Sequence, residues 1–144
     1  DFMKKKNLII FIIIIIILVI FFILSNREIS IKESTLKKIF TLNNYENVEI
    51  FFIDIVGNKH ESIDNKDKKI LFLNSIKDER IKPIFENPDK INSNEAYRML
   101  IEYNNKQYRL LIFSNNTLVI NKKRYSTKNN LYELVSSIFD NGSL

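Results

Sequence analysis

Apolar residues in this chain form one unbroken run followed by a series of short, punctuated patterns. The run is Leu8–Leu24, seventeen consecutive apolar residues, mostly Ile. Lys4, Lys5 and Lys6 precede it, and Ser25, Asn26, Arg27 and Glu28 end it. At roughly 1.5 Å rise per residue it makes a helix of about 26 Å, close to the roughly 30 Å hydrocarbon core of a bilayer. Snorkelling lysines and polar flanks cover the difference. Ile, Leu, Phe and Val each favour insertion by roughly 0.3–0.6 kcal/mol, so the whole run favours it by about 5–10 kcal/mol. The run is too long for a buried strand, and an exposed strand this apolar would aggregate. The pattern predicts a transmembrane helix over residues 8–24, following a short tail over 1–7.

A cleaved signal peptide has the same outline of lysines and apolar core. Cleavage needs small residues at the first and third positions before the cut, and Ile23, Leu24, Ser25 and Asn26 provide no such pair. The expectation is therefore an uncleaved signal anchor. Lys4–Lys6 are dense and adjacent to the helix, which favours a cytoplasmic tail and an extracytoplasmic domain. Arg27, Lys32, Lys37 and Lys38 weigh against that on a bare tally, but long domains translocate largely regardless of charge.

Residues 25–46 read as a juxtamembrane connector with one short helix, in which Ser34 is an N-cap and Leu36, Ile39 and Phe40 share a face. Residues 47–144 read as the folded domain. Val48–Val56 is apolar on both parities, with Val48, Ile50 and Phe52 on one and Phe51, Ile53 and Ile55 on the other. That is the pattern of a central strand covered on both sides. Gly57-Asn58 makes a tight turn, and Lys59–Ile63 returns as an antiparallel partner.

Asp64 and Asp67 then suggest a helix start. An apolar face of Ile70, Phe72, Leu73, Ile76 and Ile81 carries the helix to about Lys82, with Lys68, Asp78 and Glu79 facing water. Pro83 stops it, and residues 83–94 read as a loop. Three strands follow: Ala96–Tyr103, Gln107–Phe113 and Thr117–Asn121, joined by Asn-rich turns. Lys122-Lys123 turns into a short edge at Arg124–Ser126. Asn130 and Glu133 make a capping-box pattern before a final helix with Leu131, Leu134, Val135 and Ile138 inward. The sum is an α+β domain, an antiparallel meander of four to six strands packed by helices.

Composition narrows the function. The formal charge is +5 over 144 residues, well mixed, which is no nucleic-acid footprint. The absence of cysteine excludes disulfides, thiolate metal sites, a thiol nucleophile and a lipidated cysteine. Abundant Ile, Asn and Lys beside a single alanine, Ala96, has the look of an AT-rich coding bias. Gly57 and Gly142 are the only glycines, too few for a phosphate-cradling loop, and no nucleophile-elbow or dinucleotide fingerprint occurs.

His60 is the single histidine and lacks further ligands at metal-binding spacing, so its ordinary reading is a surface side chain. Asp54 sits inside the most apolar strand, and a buried carboxylate needs a partner. Arg98 or Arg109, or a polar gap at the strand end, would satisfy it. Carboxylate pairs for glycosidic chemistry depend on spatial spacing, which nothing in the sequence supports.

The densest positive stretch after the anchor is Lys122, Lys123, Arg124 and Tyr125, with Lys128 nearby. This is the one candidate interaction patch, suited to anionic lipid, wall polymer or an acidic partner. Its plain alternative is a charged edge that discourages strand pairing. Tyr97, Tyr103, Tyr108, Tyr125 and Tyr132 read either as a binding face or as ordinary sheet packing, the commoner outcome. No catalytic residue, metal ligand or cofactor site is assigned.

The succession of hydrophobic strand, Asn or Gly turn, strand, basic stretch with Tyr and capped helix culminates in YRLLIFSNNTLVINKKRYSTKNNLYELVSSIF. Over residues 48–140 this pattern resembles small membrane-anchored extracytoplasmic domains of unknown function from low-GC Gram-positive bacteria. The resemblance implies a role in binding, immunity or envelope interaction and carries over no functional residue.

The leading expectation is a single-pass membrane protein that presents a non-catalytic binding domain outside the cell. Its partners would be lipid along residues 8–24 and another envelope protein or secreted polypeptide. The alternative is a structural or assembly subunit of a multi-protein membrane complex. An enzyme acting on wall polymer stands third and would need carboxylates converging in a deep pocket.

Overall fold

A computed structural model describes residues 1–85 and 96–140. Helix α1, Phe2–Ser25, contains the whole apolar run and buries none of its residues against the rest of the protein. Its mean hydropathy reaches 3.8, and at roughly 1.5 Å per residue it is about 36 Å long, enough to cross a membrane.

The remainder is α+β. Among the described residues, eight strands make a single antiparallel sheet: β1 Ile29–Ser30, β2 Glu49–Asp54, β3 Lys59–Ile63, β4 Arg80–Pro83, β5 Ala96–Tyr103, β6 Lys106–Phe113, β7 Thr117–Ile120 and β8 Lys123–Thr127. Their order across the sheet is β1-β4-β8-β7-β6-β5-β2-β3. A 3₁₀ turn at Ile31–Glu33 and the helices α2 Lys37–Phe40, α3 Lys66–Ile76 and α4 Leu131–Asp140 are the other described elements.

Side-chain alternation sends one parity of every central strand to the core. Cross-strand rows run Ile63–Ile50–Ile101–Tyr108, then Phe52–Met99–Leu110–Ile120, then Tyr97–Ile112–Leu118–Tyr125. Phe72, Leu73 and Ile76 of α3 join this core, as do Leu131 and Val135 of α4 and Ile31, Leu36 and Ile39 of the N-terminal segment. The Phe72 ring meets Phe52 edge-on at 5.2 Å, the favoured aromatic geometry. Where α3, α4, the 3₁₀ turn and the sheet converge, the remaining void is about 10 Å³ and wholly apolar. That is at the lower limit for a single water, so the interior is close-packed.

Several expectations are corrected. The sheet has eight strands rather than four to six, because β1 and β4 arise where a connector and a helix end were expected. Helix α3 starts from Asn65, whose Oδ1 accepts from the Asp67 and Lys68 backbone N–H groups, and it ends at Ile76 instead of continuing to Lys82. After Ile76 the backbone turns to pair with the N-terminal segment: Ile31 N–H donates to the Glu79 carbonyl and Lys32 N–H to the Lys77 carbonyl.

Ile81 therefore enters the core from β4, opposite Ile29 and Thr127. A four-residue strand with one inward apolar residue has no period to read. Strand β8 lies inside the sheet, between β7 and β4, not at its edge. Residues 29–45 belong to the folded domain, with Ile31, Leu36, Ile39 and Tyr45 buried, so only Asn26–Glu28 separate α1 from it. The loop expected over 83–94 falls mostly outside the described residues.

The hairpins turn on asparagine in place of glycine. Asn104 and Asn105 both have positive φ, as do Asn121 and Lys122, which is what a two-residue type I′ turn requires. Asn58 and Asn116 hold single left-handed positions in the β2–β3 and β6–β7 loops. Asparagine tolerates this region better than other non-glycine residues. Of the capping box expected at Asn130, the N-cap arm forms, with the Asn130 Oδ1 accepting from the Glu133 N–H.

Candidate interaction face

Among the described residues, α2, α3 and α4 contribute to the core on one side of the sheet, and the second side, left open by these helices, is covered only at its Ala96 and Thr117 end, where both residues are buried. Because the side-chain period is two, register alone dictates what stands there. One row crosses the sheet as His60–Ile53–Arg98–Leu111–Val119–Arg124. The next runs Ser62–Phe51–Leu100–Arg109, and Asn121 closes it by accepting the Arg109 backbone N–H on its Oδ1 at 2.9 Å.

The result is a checkerboard in which Arg98 opposes Leu111 and Arg109 opposes Leu100. Ile53, Leu100, Leu111 and Val119 are half-buried, while Phe51 keeps 36% of its surface exposed. Ile53, Arg98, Leu100, Arg109, Leu111 and Val119, together with Gln107, Asn121 and Lys122, line a shallow depression of about 870 Å³.

The electrostatics of this face are one-sided. Arg98, Arg109, Lys122 and Arg124 sit on it, and among the described residues neither Arg98 nor Arg109 has a carboxylate partner. Among the described residues the acidic groups of this face lie at one end, where Glu49 stands directly opposite Glu102 and the Glu102 carboxylate accepts from the Gln107 side-chain amide at 2.6 Å. Guanidinium forks above aliphatic side chains suit a ligand that offers carboxylates and apolar groups together.

The residues singled out from sequence distribute as follows. Of the basic stretch, Lys122 and Arg124 belong to the open face. Lys123 pairs with Ile120, and its ammonium lies 5.5 Å from the centre of the Tyr125 ring. Tyr125 is 2% exposed, and burial raises its phenol pKa above the ordinary value.

Alternation thus splits the four residues between the two sides of the sheet. Tyr97 and Tyr108 are also buried, and Tyr103 and Tyr132 half-buried, so the tyrosines pack the sheet. Tyr97 stacks near Tyr132, with ring centres 4.9 Å apart. Asp54 ends β2 and accepts the Val56 N–H at 3.1 Å, forming a local turn instead of an arginine pair. His60 is exposed on the edge strand. Among the described residues, no three His, Cys, Asp or Glu side chains gather as a metal site.

In the sequence, Arg98 and Arg109 stand out only as partners for Asp54, and the face they share emerges only from the register of the sheet. The signal was present in β2: a strand apolar on both parities that this chain's described helices cover on one side only.

A second charged cluster fastens the segment that follows α1 to the rest of the domain. The Glu28 carboxylate accepts from Arg80 Nε at 3.1 Å and stands 3.2 Å from Lys128 Nζ. Those two cations hold its pKa below the usual carboxylate value. Beside it, Lys32 bonds Asp78 at 2.7 Å, which lowers the aspartate pKa and raises that of the lysine.

No protein-family model, curated protein or solved structure matches the chain.

Proposed function

We propose that this is a single-pass membrane protein whose α1 helix tethers a non-catalytic binding domain on the outer side of the membrane. The observation carrying this reading is the junction between the two. Helix α1 has no packing of its own with the domain, and the three connecting residues Asn26–Glu28 span at most about 11 Å when extended. Glu28 is in turn held by Arg80 and Lys128. Such a joint keeps the domain beside the bilayer, in contrast to a long Gly/Ser-rich linker that lets a domain roam. Lys4, Lys5 and Lys6 before the apolar run support the inward-facing tail.

Protease treatment of intact and permeabilised cells, read with an antibody to the C-terminal domain, tests the topology. Digestion in intact cells supports the outward domain. Protection until permeabilisation would reverse it and make a cytoplasmic adaptor the better reading.

A further inference from the structure

We infer that the open face of the sheet is the docking site for an acidic amphipathic helix of a different protein, gripped by Arg98 and Arg109 across the apolar floor of Ile53, Leu100, Leu111 and Val119. This rests on reading the domain as a binding module and names what that module takes.

Layer architecture supplies the first argument. A sheet with apolar residues on both faces is stable with a layer on each, and every described helix after α1 contributes to the core side. Five strands from β2 to β8 make the open face about 19 Å wide at roughly 4.8 Å per strand, which accommodates one helix of roughly 10–12 Å diameter.

Charge complementarity supplies the second. Arg98 and Arg109 occupy diagonal positions on adjacent strands, with backbones about 7–8 Å apart, within reach of long side chains. Carboxylates at i and i+4 of a helix are about 5–6 Å apart at Cβ, so two successive turns can engage both guanidinium groups. Apolar residues between them would cover Leu100 and Leu111.

Other occupants fit less well. A second copy brings the same cations to this face. Its α3 exposes Lys66, Asp67, Lys68 and Leu71, a mixed surface, and α1 carries no acid. A flat anionic bilayer would bring Glu49 and Glu102 against like charge and would leave the half-buried aliphatic floor out of contact. A helix narrower than the sheet avoids both penalties.

The test uses the full chain in its native membranes, with a benzophenone side chain placed at position 119 on the open face or at position 71 on the far side of α3, where Leu71 is 71% exposed. Crosslinked segments are then sequenced by mass spectrometry. The expected product at position 119 is a segment of another protein with Asp or Glu interleaved among apolar residues at helical spacing. Arg98→Glu and Arg109→Glu should each cut its yield about tenfold, equivalent to about 1.4 kcal/mol. Raising the salt to about 1 M, where the Debye length is roughly 3 Å, should cut the yield without any substitution.

Capture of the protein's own chain, of phospholipid, or of a segment lacking acidic residues overturns the proposal, as does a yield indifferent to charge reversal and salt. Capture at position 71 but not at 119 overturns the face while leaving the binding reading in place. Capture at neither position counts against both.

Discussion

The Glu79 carboxylate receives both donors of Asn129, the backbone N–H at 2.8 Å and the side-chain amide at 2.7 Å. The contact bridges fifty residues of sequence and ties the buried Glu79, 8% exposed, to the exposed Asn129. The Glu79 carbonyl meanwhile accepts the Ile31 N–H at 3.0 Å. One residue thus joins the start of the domain, the end of α3 and the approach to α4. Glu79→Gln turns an amide N–H₂ toward one of the two Asn129 donors and leaves that donor unsatisfied. The expected loss is about 1–3 kcal/mol, measured by chemical denaturation of the full chain in detergent, with Asn129→Ala giving a similar loss.

The junction after α1 should loosen in acid. The folded-state pKa of Glu28 is depressed by Arg80 and Lys128, and that of Asp78 by Lys32. Their contributions are complete above the ordinary carboxylate values and vanish as pH falls through the lowered ones. Lys32, raised by Asp78, behaves oppositely: its contribution is complete below the ordinary lysine value and is lost only as pH rises through the raised one. Between these limits the joint is intact. Amide protection of Ile31 and Lys32, corrected for intrinsic exchange, should therefore drop below about pH 4. Glu28→Gln should lower that protection at neutral pH and flatten its acid dependence. An unchanged profile in this variant would assign the acid response elsewhere.

The turn between β7 and β8 stores removable strain. Lys122 has φ 75°, a conformation that costs a residue with a Cβ roughly 1–2 kcal/mol and glycine little. Lys122→Gly yields an Asn-Gly pair, the preferred type I′ sequence, and should raise stability by about 1 kcal/mol. Asn105→Ala in the matching β5–β6 turn, at φ 60°, should lower stability by a comparable amount. Thermal melts of the two variants moving in opposite directions would bear this out. Equal shifts would mean that turn geometry is not the controlling factor.

Legibility of the fold followed periodicity. The apolar run, β2, β5 and β6 are long and strongly patterned, and all four are readable from residue order alone. So is the Asn130 cap. Strands β1 and β4 span two and four residues, shorter than any reliable period, and they exist because the backbone after Ile76 finds partners at Ile31 and Lys32.

The open face was hidden for a different reason. Arg98 and Leu111 lie thirteen positions apart, and only the register that places them opposite each other makes a face of them. Sequence proximity pointed instead to Lys122–Tyr125, four neighbours that a strand necessarily divides between two sides. Tyr125 went to the core and Arg124 to the open face, which joins it to Arg98 and Arg109 from other strands.

The last prediction separates a tether from an assembly subunit. Helix α1 buries none of its residues, and its Leu8–Leu24 run presents a nearly uniform surface of isoleucine and phenylalanine, with no small-residue stripe or polar group for a neighbouring helix to recognise. A tether needs length and hydropathy alone. Replacing Leu8–Leu24 with leucine throughout should therefore leave membrane retention and crosslinking from position 119 unchanged, because roughly 17–25 apolar residues suffice to span whatever their order. If retention persists but the position 119 product disappears, α1 is itself part of the recognition surface. The protein would then work as a membrane-embedded subunit, with the open face of the sheet as only half of its contact.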